Sequence, residues 1–464
     1  MTAITTLQAR EILDSRGIPT IEVDVHLSDG SFARAAAPSG ASRGKLEASE
    51  LRDGDQLRYN GRGVRRAVET VQTLVAPAIV GLELQGPWTL DRRLIELDGT
   101  SDRSRLGANT LLAISVAVTR ALARGEHLYE YLAVNRHPHR LPVPMFNILN
   151  GGAHATNTED IQEFMIAPVG ASSFSEALRM GVETYGALRS LLKKSGRVTS
   201  VGEEGGFAPD LDAHTQPLDL LLEAIQLAGL RPRDDIVIAV DVAASELYAE
   251  GSYVFRKSLR RRRSSEQLIQ LYASWLKHYP LWSIEDGLAD TDTEGWRALT
   301  AMLGDRTQLV GDDLFVTNVN LLREAIGQGL ANAVLIKLNQ VGTVSETLET
   351  IAEALRNDYG VIISHRAGET DCDFIAHLAV ATNAGQIKAG APVRGERVAK
   401  YNQLLRIEEA LGSSARYAGR DFVRCGGFAR DTSQRATPRE PQRGKPASDT
   451  GVRGRSTRAG NLGL

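Results

Sequence analysis

The stretch IVIAVD at residues 236–241 is a short apolar run that ends directly at an ionisable residue. Five later runs have the same form, and the six residues at which these runs end are Asp241, Glu285, Asp312, Lys337, His365 and Lys388. From Glu285 onward these residues are 23 to 28 positions apart, and amphipathic helical stretches fill the intervals. A buried parallel strand followed by a helix needs a unit of this length. The pattern therefore predicts an α/β fold whose strands close into a βα barrel.

The charged strand ends predict a catalytic face. The carboxyl ends of barrel strands meet at one end of a barrel, where barrel enzymes carry out their chemistry. Asp241, Glu285 and Asp312 would bring together the oxygen ligands that Mg²⁺ prefers. Lys337 and Lys388 would face them, and an ammonium near a cation and a second lysine is disfavoured. We expect Lys337 to accept a proton from a carbon beside a carboxylate. The alternative is that these residues form ordinary surface ion pairs.

The regions on either side of the predicted barrel have different patterns. Residues 19–36 alternate around Asp29-Gly30, which predicts a β-hairpin, and residues 64–80 and 107–123 have helical spacing. The second helical stretch is nearly uncharged, so we expect it to be buried. We predict an N-terminal α+β domain over residues 1–135, a barrel over 141–424 and a tail over 425–464. The tail has eight Arg and Lys against three Asp and Glu, which predicts a basic, disordered extension.

The composition argues against several classes of protein. The 464 residues are 42% hydrophobic and 24% charged, as in globular proteins, and the net charge of −3 gives no reason to expect binding to nucleic acid or to an acidic membrane. The two cysteines, Cys372 and Cys425, cannot form a disulfide framework or a cysteine-based zinc cluster. The chain shows neither an apolar signal core nor a run of about 18 apolar residues. A soluble, cytoplasmic protein is therefore expected.

Several longer stretches resemble the enolase family: ILDSRG at 12–17, PSGAS at 38–42, NGGAH at 150–154, IQEFMIAP at 161–168, GDDLFVTN at 311–318, ISHR at 363–366 and VAKYNQLLRIEEALG at 398–412. The resemblance runs from about Ala9 to Arg424. It implies a modified (βα)8 barrel of the TIM type, with irregular first units, behind a smaller N-terminal α+β domain. It also implies a glycolytic lyase, phosphopyruvate hydratase, that reversibly dehydrates 2-phosphoglycerate to phosphoenolpyruvate with Mg²⁺. Members are usually dimers, so we expect a homodimer or larger homo-oligomer.

The resemblance also implies a role for each matching residue. Lys337 matches the base that removes the proton from carbon 2 of the substrate. Glu204 matches the acid that assists departure of the 3-hydroxyl, with Glu163 beside it. Asp241, Glu285 and Asp312 match the ligands of a first Mg²⁺. Ser42 matches a ligand of a second Mg²⁺, which binds only with substrate. The positions around the anionic phospho-carboxylate substrate are matched by His154, Gln162, His365, Arg366 and Lys388.

Two departures from the family pattern concern the substrate. Ala367 stands where the family has a serine that contacts phosphate, and Arg43 replaces a threonine in the mobile active-site loop. The proton-transfer and metal residues are all present, which favours the plain enolase reaction. One alternative is a diverged homologue of phosphonate antibiotic biosynthesis, such as a carboxyphosphonoenolpyruvate synthase. A further alternative is a non-catalytic binding protein on an enolase scaffold.

Overall fold

The computed structural model describes residues 2–41, 44–124, 127–133, 139–211, 213–257 and 261–420. Ser42, Arg43 and the predicted basic tail lie outside the described residues. The described strands are β1 (Thr2–Leu13), β2 (Pro19–Leu27), β3 (Phe32–Ala36), β4 (Glu83–Leu84), β5 (Arg140–Leu141), β6 (Val143–Asn150), β7 (Glu163–Ala167), β8 (Val237–Asp241), β9 (Tyr248–Ala249), β10 (Ser252–Phe255), β11 (Arg261–Arg263), β12 (Leu281–Glu285), β13 (Gln308–Gly311), β14 (Ala333–Ile336), β15 (Gly360–Ser364), β16 (Gly385–Lys388) and β17 (Arg416–Tyr417).

The described α-helices are α1 (Arg65–Thr70), α2 (Ala76–Ile79), α3 (Pro87–Asp98), α4 (Ala108–Leu122), α5 (Leu128–Tyr131), α6 (Phe174–Lys194), α7 (Gln216–Leu227), α8 (Ala244–Leu247), α9 (Ser265–His278), α10 (Thr293–Leu303), α11 (Val319–Gln328), α12 (Val344–Arg356), α13 (Phe374–Ala381) and α14 (Gly395–Leu411). Local capping fixes where several of them begin. The Ser264 side chain accepts a hydrogen bond from Gln267 N ahead of α9, and the Thr343 side chain does the same for Glu346 N ahead of α12. None of the described helices is both long and apolar enough to cross a membrane.

The N-terminal region is a small α+β domain. Its four strands pair in the order β3-β2-β1-β4, and β2 and β3 form the predicted hairpin with Glu22 opposite Ala36. The predicted helix at residues 107–123 is α4, and 13 of its 15 residues are buried. The nearly uncharged sequence explains this position, because only apolar and small side chains can fill a helix surface that is covered on all sides. Both predictions are confirmed.

Eight strands of the described chain close into a barrel in the order β12-β13-β14-β15-β16-β6-β7-β8. The six strands predicted from the apolar runs are all members of it. The barrel also contains β6 and β7, and β7 runs antiparallel to both of its neighbours. The combination of this irregular barrel with the N-terminal domain confirms the predicted fold class.

The interior of the barrel changes from apolar to charged along its strands. An apolar cluster near the amino ends includes Val143, Met145, Val237, Trp282 and Ala333. The last members of this cluster on β8, β13 and β14 are Ala239, Val310 and Leu335. Two residues further along each of these segments lie Asp241, Asp312 and Lys337, respectively. Because side chains alternate between the two faces of a strand, these charged residues continue the same interior row. The fold thus collects them at the carboxyl end of the barrel.

The N-terminal domain also contributes to this end of the barrel. Ser39 and Gly368 form a two-residue antiparallel bridge, in which each backbone N–H donates to the other's carbonyl at 2.8 Å. Ser39 follows the N-terminal hairpin, and Gly368 follows β15 of the barrel. The bridge holds the segment around Ala41 beside the carboxyl ends of the strands.

Candidate active site at the carboxyl end of the barrel

A cleft opens at the carboxyl end of the barrel. Ten of the predicted site residues line it: His154, Gln162, Glu163, Glu204, Asp241, Asp312, Lys337, His365, Arg366 and Lys388. Glu285 is buried directly beside these residues, in register with Asp241 on the neighbouring strand. Ser42 lies outside the described residues. The structure therefore brings the predicted residues of the described chain together in one place.

Lys388 lies in the middle of an acidic group. Its Nζ is 2.9 Å from Glu285 Oε1, 3.1 Å from Asp241 Oδ2 and 3.1 Å from Glu163 Oε2. Burial lowers the pKa of Lys388, but the surrounding carboxylates, with Asp241 the strongest, raise it by more, so it lies well above the ordinary value. Lys388 is therefore a fixed cation that partly neutralises these acids.

Lys337 forms a second ion pair, because its Nζ donates a hydrogen bond to Asp312 Oδ2. The other carboxylate oxygen of Asp312 accepts a hydrogen bond of 2.9 Å from the Gln340 side chain. Burial lowers the pKa of Lys337, but the Asp312 carboxylate outweighs it and the pKa is raised. The sequence did not show that Asp312 would contact the amine directly, and the expectation of an uncharged Lys337 beside a bound cation stays a prediction.

Two acids that the sequence analysis did not single out extend this group. Asp286 and Asp313 follow Glu285 and Asp312 in sequence, and the oxygens of Asp286, Asp312 and Asp313 lie within 4.8 Å of one another. Burial and neighbouring acids raise the pKa of Asp286 well above its usual range and that of Asp313 to about 7. The same causes, with Asp241 as the main neighbour, raise the pKa of Glu285 to about 8. The sequence signal that could have identified these two residues is the pair of adjacent acids in GDD at 311–313 and in IED at 284–286.

The donor set of this group fits a divalent cation. Five carboxyl groups share the region with two lysines, and the carboxylates offer the oxygen ligands that hard cations prefer; they belong to Asp241, Glu285, Asp286, Asp312 and Asp313. Glu285 Oε2 and Gln162 Oε1 are buried and have no hydrogen-bond partner among the described residues. A cation would supply the positive charge that these groups lack, since buried carboxylates are costly unless they are paired or bind metal.

A second cluster surrounds Glu204. Its Oε2 accepts a hydrogen bond of 3.0 Å from the Asn147 side chain and lies 3.3 Å from His365 Nε2, and its Oε1 lies 3.9 Å from His154 Nε2. His154 Nδ1 is 3.5 Å from Glu163 Oε1. Burial and the Glu204 charge raise the pKa of Glu163 well above its usual range. Burial would also raise the pKa of Glu204, but His365 and His154 lower it by more. The two carboxyls therefore differ in their affinity for a proton.

Close backbone approach explains the glycines around Glu204. Gly205 has a φ of +92°, which favours glycine, and a Cβ on Gly206 would lie 2.2 Å from the Asn150 side chain. The VGEEGG turn can therefore pack directly against β6. This local geometry places the Glu204 carboxyl in the cleft.

Arg366 is held by partners from outside the barrel strands. Its Nη1 donates hydrogen bonds of 3.0 Å to Glu47 Oε2 and 2.9 Å to Asn339 Oδ1. Ala367 follows it and lines the cleft with a methyl group where the family places a hydroxyl. Glu47 was not a predicted site residue, because nothing in the sequence distinguishes it from other acids of the N-terminal domain.

Comparisons with known proteins agree with the fold. The model of the enolase N-terminal domain matches residues 4–132, and that of the enolase C-terminal TIM barrel domain matches residues 138–425. A protein of Acidothermus cellulolyticus named enolase is 56% identical over 421 residues, which cover 90% of this chain and 97% of that protein. These matches give no support to the phosphonate-pathway or the non-catalytic alternative. The chain belongs to the enolase family and is a lyase of the phosphopyruvate hydratase type.

Proposed function

We propose how the residues of this cleft divide the work of the enolase reaction, the reversible dehydration of 2-phosphoglycerate to phosphoenolpyruvate. Lys337 takes the proton from carbon 2, and Glu204 assists the departure of the 3-hydroxyl. The observation that carries this proposal is that the two side chains line one cleft but belong to separate networks, Lys337 with Asp312 and Glu204 with the imidazoles. A base and an acid held apart in this way can act on two adjacent carbons.

Asp241, Glu285 and Asp312 would hold Mg²⁺. Their carboxylate oxygens and the unpartnered, buried Glu285 Oε2 support this assignment. Bound there, Mg²⁺ would stabilise the negative charge that develops on the substrate carboxylate. A second, substrate-dependent Mg²⁺ at Ser42 stays a prediction, since that residue lies outside the described chain.

Proton abstraction requires that the Lys337 amine be uncharged. The Asp312 carboxylate raises the pKa of Lys337, whereas burial, Arg366 and Lys388 lower it. When Asp312 binds another cation, burial, Arg366 and Lys388 still lower the pKa of Lys337. Lys337 can therefore act as the base once Asp312 is engaged in this way.

The Glu163–Glu204 pair supplies the acid. Their oxygens lie within 4.8 Å of each other, so the pair holds a shared proton more readily than two separate carboxyls would, and burial together with the Glu204 charge raises the pKa of Glu163. His154 lies between the two carboxyls and can hold the leaving hydroxyl toward Glu204.

The remaining cleft residues bind the substrate, a small phosphorylated carboxylate. Gln162, His365, Arg366 and Lys388 provide the donors and positive charges that such a multiply charged anion requires. A homodimer or larger homo-oligomer and a cytoplasmic location are further proposals, which the relationship to enolases supports.

Two variants test the division of roles in the presence of Mg²⁺. Lys337→Ala should abolish exchange of the carbon-2 proton with solvent and lower the dehydration rate by about 10²- to 10⁴-fold, because the base is lost. Glu204→Gln should retain the exchange while blocking dehydration. Exchange is measured by isotope incorporation into 2-phosphoglycerate, and Lys193→Ala and Glu223→Gln, on the exposed surface, are matched controls. Loss of exchange in Glu204→Gln with exchange retained in Lys337→Ala would reverse the assignment.

A further inference from the structure

Arg397 is a fully buried arginine that does not line the catalytic cleft. It lies in the first turn of α14, and its exposed fraction is 0%. Burying a guanidinium is costly unless its N–H groups find acceptors. The acceptors of Arg397 therefore show which parts of the molecule it holds.

These acceptors belong to two catalytic segments. Nη2 donates hydrogen bonds of 2.5 Å to the Ala367 carbonyl and 3.3 Å to the Glu203 carbonyl, and Nη1 donates one of 2.6 Å to the Arg366 carbonyl. The aliphatic part of the Arg397 side chain is also closely packed. Gly390 lies against both Arg397 and the Glu204 backbone, because a Cβ added to Gly390 would be 2.9 Å from Arg397 Cδ and 2.9 Å from the Glu204 carbonyl oxygen. One side chain thus joins the turn that carries Glu204 to the segment that follows His365.

Nη1 of Arg397 also contacts His365 Nδ1 at hydrogen-bonding distance. An arginine N–H can only donate, so Nδ1 must be the acceptor. A neutral imidazole whose Nδ1 accepts carries its proton on Nε2. That nitrogen lies 3.3 Å from Glu204 Oε2 and has no hydrogen-bond partner among the described residues, so its proton is available to the carboxylate. Burial lowers the pKa of His365 to about 4, which agrees with a neutral ring.

We propose that Arg397 is a positioning residue that holds His365 in its Nε2–H tautomer and thereby orients the Glu204 carboxyl for departure of the substrate hydroxyl. The inference rests on the proposed role of Glu204. Its consequence is selective: Lys337 and Asp312 have no contact with Arg397 among the described hydrogen bonds, so proton abstraction at carbon 2 does not depend on it.

The kinetic test uses the Mg²⁺-loaded enzyme at saturating 2-phosphoglycerate, so that changes in substrate binding do not enter. Arg397→Lys keeps the charge but cannot reach the same set of acceptors. We expect its dehydration rate to fall by about 10- to 100-fold, as for other groups that orient a catalytic residue, with carbon-2 exchange nearly unchanged. Arg406→Lys, at an exposed position of the same helix, is the matched control and should change neither rate. Equal loss of both rates in Arg397→Lys, or no loss of either, would overturn the proposal.

A direct readout is the tautomer itself, followed by nitrogen NMR of the histidine-labelled enzyme. The His365 signals are identified as those missing from His365→Asn. We expect the Nε2–H tautomer near pH 7 in the unmodified protein and in Arg406→Lys, and its loss in Arg397→Lys. An Nδ1–H or doubly protonated ring in the unmodified protein would overturn the proposal even if Arg397→Lys failed to fold. Failure of the Glu204 assignment is detected separately, by normal dehydration in Glu204→Gln.

Discussion

The two ends of the barrel are built by the same strands but bury opposite kinds of side chain. At the amino end, Trp282 and its neighbours form a closed apolar cluster. At the carboxyl end, Asp241, Glu285 and Lys388 are buried almost as completely. Burial of apolar surface stabilises a fold, whereas burial of like charges costs stability. The difference indicates that apolar burial at the amino end stabilises the fold and offsets the destabilising charge burial that catalysis requires at the carboxyl end.

The largest expected effect tests the amino end. Trp282→Ala should lower the free energy of unfolding by about 3–5 kcal/mol, because it leaves a cavity in the apolar cluster. The turnover number of the folded fraction should not change, since Trp282 lies below the catalytic layer. Urea unfolding and enzyme assays at low temperature measure the two quantities. A strong loss of turnover in folded protein would break the proposed division between the ends.

The matching change at the carboxyl end is Glu285→Gln. Removal of this Mg²⁺ ligand should lower activity by at least about 100-fold. Without cation, however, the variant should be more stable at pH 8 by on the order of 1–3 kcal/mol. The pKa of Glu285 is raised to about 8, so between the unfolded value of about 4.3 and about 8 the folded state retains a proton that the unfolded state releases, and the folded state loses stability progressively as the pH rises.

Unfolding in chelator at pH 4 and pH 8 measures this effect, and the gain should vanish at pH 4. Mg²⁺ at 100 times its Kd should then stabilise the unmodified protein by about 2.7 kcal/mol and the variant by less. A variant that is less stable than the unmodified protein at pH 8 without cation would show that the acids do not oppose folding.

The smallest expected effect comes from a buried acid away from the cleft. Asp91 accepts hydrogen bonds of 2.9 Å from Ser345 N and 2.6 Å from Ser345 Oγ, and burial raises its pKa to about 6. The folded state keeps this carboxyl protonated up to about pH 6, whereas the unfolded state ionises it above about pH 4, so the folded state loses stability as the pH rises from about 4 to about 6 and no further above that. Asp91→Asn should therefore gain on the order of 1 kcal/mol in unfolding free energy, relative to the unmodified protein, between pH 5 and pH 8. Turnover should stay unchanged, and a pH-independent difference would contradict the assignment.

The sequence predicted what depends on periodicity and missed what depends on contacts between distant segments. Apolar runs and their charged ends located six barrel strands, but β6 and β7 form an antiparallel pair without the strand–helix spacing. Asp286 and Asp313 were not predicted as site residues, because only the first ionisable residue at each strand end was considered. The ion pair of Lys337 and the acceptors of Arg397 arise from packing between strands and helices, for which a single sequence carries no local signal.

The bridge between Ser39 and Gly368 has a consequence for how this enzyme could have been assembled. A segment of the N-terminal domain forms part of the wall of the cleft, so the barrel expressed by itself would have an incomplete chamber. Splitting the gene between the two regions should give fragments that are inactive apart and that recover turnover only on reassociation. In such an architecture the two regions must be inherited and exchanged as one unit, because neither carries a complete catalytic centre.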